Sequence, residues 1–125
     1  LTTNGQLKED YKEKIVMQSL PYLNTEYLGF LMDENNQSPT QYLAVRKAIN
    51  YGFDRQKMMT YLRNNIGTPA MYGFIPKGLP SFSDSMTAYD FNPEYAKQLL
   101  QEQNMDTIQI TLHTTSSYFR SSTFY

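Results

Sequence analysis

Cysteine and tryptophan are absent from these 125 residues, and histidine occurs once. Without cysteine there can be no disulfide, no thiolate nucleophile and no zinc–thiolate site. Charge of one sign is lacking too. Eleven basic and 12 acidic side chains give a formal net charge of −1, and none of the basic residues cluster. A polyanion needs a basic patch, so nucleic acid is not an expected partner. Long hydrophobic runs are missing, so this stretch holds no transmembrane segment, and no basic-then-apolar leader opens it. Gly67, Gly73 and Gly78 lack the spacing and the Lys-Ser/Thr of a phosphate loop, and no cofactor is indicated.

What the chain does have is aromatic surface: 11 Tyr and seven Phe. Tyrosine offers a flat apolar contact with a polar tip, suited to binding faces and to half-buried strands alike. The length is that of one domain or a piece of one. Residues 1–14 are polar and charged and read as a linker leading into the domain, which then occupies 15–125. The apolar run 15–20 is a candidate strand that Pro21 interrupts. Residues 26–32 form a second, with Tyr27, Leu28, Phe30 and Leu31 too continuous for one wet face. After a polar turn at 33–37, Ser38 and Pro39 supply a cap and a first-turn proline. Val45, Ala48, Ile49 and Gly52 then recur at helical spacing.

Asp54 can cap a second helix to about Asn64, with Met58, Tyr61 and Leu62 facing inward and Gly67 as its stop. The two helices are expected to form a hairpin on a sheet. Residues 68–90 read as an irregular strap, broken by Pro69, Pro76, Gly78 and Pro80 but too rich in apolar side chains for a solvated linker. Asn92 and Pro93 open a third helix, with Phe91 and Ala96 as a staple and Ala96, Leu99, Leu100 and Gln103 inside. Ile108, Ile110 and Leu112 alternate as a strand with one buried face. The order strand, strand, helix, helix, strap, helix, strand predicts an α/β layer with a mixed sheet covered by helices.

No catalytic constellation is legible. Asp33 and Glu34 are adjacent and point apart, and Glu94 and Glu102 lie on a solvated helix face. Acid–base work needs carboxylates that converge on one bond. His113 has neither the His or Cys partners of a metal site nor a third residue to orient it toward Ser116 or Ser117. Its competing reading is a plain strand-end histidine. Arg46 and Arg55 read as surface charges, with Asp54 or a carbonyl as a partner for Arg46.

One stretch is more specific. Tyr27, Leu28, Gly29 and Phe30 precede Val45, Arg46, Ala48, Ile49, Asn50, Tyr51, Phe53, Asp54 and Arg55. Gly67, Pro69, Ala70, Ile75, Pro76, Gly78, Leu79 and Pro80 follow. This order resembles the signature region of the family 5 extracytoplasmic solute-binding proteins, the peptide- and nickel-binding components of ABC importers. The resemblance covers most of the chain but only the first half of the second lobe of a protein several times longer. Gly52 and Phe53 depart from the commoner Ala-Ile.

The resemblance implies a periplasmic or cell-surface, non-enzymatic binding protein, possessing a two-lobe periplasmic-binding-protein-like fold. It would take a short peptide, or another small solute, in the interlobe cleft and deliver it to an ABC permease. Any export leader or lipid anchor is expected outside this stretch. The motif residues Tyr27, Gly29, Val45, Arg46, Ala48, Asn50, Asp54, Arg55, Gly67, Pro69, Pro76 and Gly78 then look architectural.

The implied ligand residues are His113, Thr114, Thr115, Ser116, Tyr118 and Arg120, on a loop at the cleft mouth. Thr115 and Ser116 match the family's pattern, whereas His113 replaces an aromatic and Thr114 an amide. Phe119 or Arg120 stands where some members carry a basic residue for a peptide carboxylate, and an arginine fork suits that role. The alternative for the same loop is a Ser/Thr cap on a following helix. For the whole chain, the alternatives are a ligand-sensing module of a transcriptional regulator and a small α/β hydrolase domain.

Overall fold

Three of the helical turns begin with a side chain that satisfies a free amide. In the computed structural model, which describes residues 1–2, 4–20, 22–33, 35, 37–86 and 88–114, Ser38 Oγ accepts from the Thr40 amide at 3.4 Å. A 3-10 turn over Pro39–Gln41 leads into helix α2, Leu43–Gly52. Asp54 Oδ1 accepts from the Lys57 amide at 2.8 Å and starts α3, Arg55–Leu62. Asn92 Oδ1 accepts from the Tyr95 amide at 3.0 Å and starts α4, Pro93–Gln101. A four-residue helix α1, Glu9–Lys12, interrupts the stretch expected as a linker and buries nothing.

The core lies between α2 and α4. Ala48, Ala96 and Leu99 form its buried cluster, with Tyr51 and Leu100 packed on it. Small side chains on both helices let the backbones approach. A Cβ on Gly52 would sit 3.8 Å from that of Ala96. The Asn92 amide donates to the Tyr51 carbonyl at 2.8 Å, which ties the start of α4 to the last turn of α2. Val45, one α-helical turn earlier, is fully buried. Tyr51 also meets Tyr95 and Tyr89 edge to face, at centroid distances of 4.9 and 5.3 Å.

Three expectations are corrected. The α2–α3 hairpin does not form: α2 packs on α4, and among the described residues α3 packs against no other helix. The inner face of α3 is carried by Met59, while Tyr61 and Leu62 are 76% and 64% exposed. An apolar spacing of three and four marks a helix face, but not what covers it. The helix ends close to the expected Asn64, but its stop is made by Asn64 and Asn65, at positive φ of 49° and 55°, rather than by Gly67. Asparagine tolerates that conformation, and the Asn65 amide closes onto the Met59 carbonyl at 2.8 Å.

The expected mixed sheet is not confirmed. No strand is present among the described residues. Segments 15–20, 22–33 and 107–114, which include all three expected strands, run without helix, turn or bend. A strand is defined by the ladder it shares, and an apolar run supplies only half of that requirement. Val16, Leu20, Tyr22, Leu28, Leu31, Ile110 and Leu112 are exposed.

Side chains nonetheless hold segment 22–33 against the rest. Thr25 Oγ1 donates to the Phe74 carbonyl at 2.9 Å. Tyr27 meets the Phe74 ring edge to face at 5.0 Å, and Glu26 pairs with Arg63. Gln41 Nε2 donates to the Asp33 carbonyl at 2.8 Å. Gly78 has a φ of +113°, and a Cβ there would sit 3.2 Å from Leu23 Cδ2.

Candidate functional site

Three of the motif residues, Arg46, Asn50 and Arg55, are linked by hydrogen bonds along α2 to the start of α3. Arg46 does not reach Asp54; its guanidinium donates to the Thr40 and Gln41 carbonyls, both at 2.8 Å. Asn50 Nδ2 donates back to the Arg46 carbonyl at 3.0 Å. Its Oδ1 accepts from Arg55 at 2.8 Å. Arg55 also donates to the Asn50 carbonyl at 3.1 Å and to the Tyr89 carbonyl at 3.4 Å. A guanidinium that serves several carbonyls in one plane satisfies the open end of a helix and the incoming strap together. Both arginines are thus engaged with backbone.

Beside this joint is an open depression of about 230 Å³, lined by Phe53, Asp54, Arg55, Gln56, Pro69, Met71, Tyr89 and Phe91. Arg55 lies over the Phe53 ring, 5.8 Å from its centroid. The depression was missed in the sequence because its walls come from three separated segments. Its only signal was the alternation of aromatic residues around Asp90. Its chemistry is apolar with a committed cation, and Asp54 is occupied as the α3 cap. The arrangement can seat a small apolar group; it offers no convergent acid–base pair.

The other motif positions are spread along the chain. Val45 and Ala48 are buried in α2, and Gly29 is exposed on segment 22–33. Gly67 has a φ of +109°, and a Cβ there would lie 3.0 Å from Met59 Cε. Pro76 accepts from the Leu79 amide at 3.3 Å within the strap that Gly78 turns.

Of the residues expected to meet ligand, His113 and Thr114 are exposed, at the end of segment 107–114. Thr115, Ser116, Tyr118 and Arg120 lie outside the described residues. No group of three or more His, Cys, Asp or Glu able to hold a metal is found among the described residues. Among the same residues, no helix is long and apolar enough to cross a membrane.

The family model for bacterial extracellular solute-binding proteins, family 5 Middle, matches residues 2–123. A heme-binding protein A of Haemophilus influenzae is 31% identical over 98 residues, covering 78% of this chain and 17% of that protein. A dipeptide-binding protein of Escherichia coli is 26% identical over 102 residues, covering 82% of this chain and 18% of that protein. The chain therefore spans less than a fifth of the length of these relatives. No solved structure matches it significantly. Matched over nearly its whole length, the chain belongs to family 5 of the bacterial extracellular solute-binding proteins.

Proposed function

We propose that this family 5 chain is part of the substrate-binding component of an ABC importer, which captures a short peptide in a cleft between two lobes and hands it to a membrane permease. The observation that carries the reading is the family match across residues 2–123. One relative is named for a dipeptide and the other for heme, so a small solute is the common class and a peptide the narrower choice. In the whole protein, residues 15–125 are the first half of the second lobe. Segments 15–20, 26–32 and 108–112 there enter a mixed sheet whose remaining strands come from elsewhere in the polypeptide. The location is periplasmic or at the cell surface, with any lipid anchor carried outside this stretch.

The loop from His113 to Arg120 is the proposed ligand contact. Thr114, Thr115 and Ser116 would hydrogen-bond the ligand main chain, Tyr118 would stack on it, and Arg120 would grip its terminal carboxylate. Ligand contacts to both lobes would select the closed form.

Isothermal titration of the full-length parent with short peptides tests this reading. Free-carboxylate peptides are expected to bind, and Arg120→Ala to weaken them by roughly tenfold or more, the value of a lost charge-assisted pair. C-terminally amidated peptides should respond little to the same change. Equal loss for both kinds of peptide would remove Arg120 from the carboxylate, and binding of heme with indifference to every peptide would remove the peptide reading.

A further inference from the structure

We draw no further inference here: the strongest candidate, the open apolar depression where α2 meets α3, walled by Phe53, Pro69, Met71, Tyr89 and Phe91, is an unpartnered face of a chain that spans less than a fifth of its relatives, and nothing in the structure shows what covers it.

Discussion

Arg55 concentrates several roles in one side chain. It binds the Asn50 carbonyl and side-chain oxygen and the Tyr89 carbonyl, so it joins the end of α2 to the approach to α4. Arg55→Ala is expected to cost about 1–2 kcal/mol, a charged hydrogen-bond group discounted for partial exposure. Arg55→Lys should restore no more than part of this, because a point charge cannot span the fork. Urea unfolding at low protein concentration checks both; a full recovery by lysine would show that charge alone matters. Gly67 makes a second prediction at this scale. With its φ of +109° and Met59 Cε close to the position of a Cβ, Gly67→Ala should destabilise by about 1 kcal/mol or more. An unchanged urea midpoint would mean the turn re-forms without strain.

At the scale of elements, the α2–α4 pair is the mechanical centre. Leu99→Ala removes a buried side chain from it and is expected to cost about 2–4 kcal/mol. Leu62→Ala in α3, at an exposed site, should stay within about 0.5 kcal/mol. Comparable losses at the two sites would restore the inward-facing α3 of the sequence reading.

That reading succeeded where the physics is local. Ser38, Asp54 and Asn92 each accept from an amide two or three residues on, so a short window contains both partners of the bond. It failed where the partner is distant. Nothing near Ala48 announces that Ala96 will cover it. Met58, Tyr61 and Leu62 repeat at helical spacing whether or not a core lies beside them. Segments 15–20, 26–32 and 108–112 have the composition of strands without the ladder that would make them so. The α2–α3 depression was illegible for the same reason, since Phe53, Met71 and Tyr89 meet only in three dimensions. Of the loop expected to hold ligand, His113 and Thr114 alone fall among the described residues.

At the scale of the whole molecule, this chain spans 17% and 18% of the length of the two curated proteins it matches. A cleft between lobes needs contributions from both, so the proposed capture of solute belongs to the full-length parent. Under that proposal the exposed apolar segments would be faces of a lobe whose neighbours lie elsewhere in the polypeptide. Ligand that binds only the folded parent should raise its melting temperature in proportion to the logarithm of ligand concentration.

The most direct measurement is native mass spectrometry of the full-length parent, purified gently so that bound solute is retained. The expected result is a protein mass accompanied by a ladder of adducts in the short-peptide range, released when the protein is unfolded. A single unliganded mass that stays unshifted when a pool of short peptides is added would contradict the peptide-binding account.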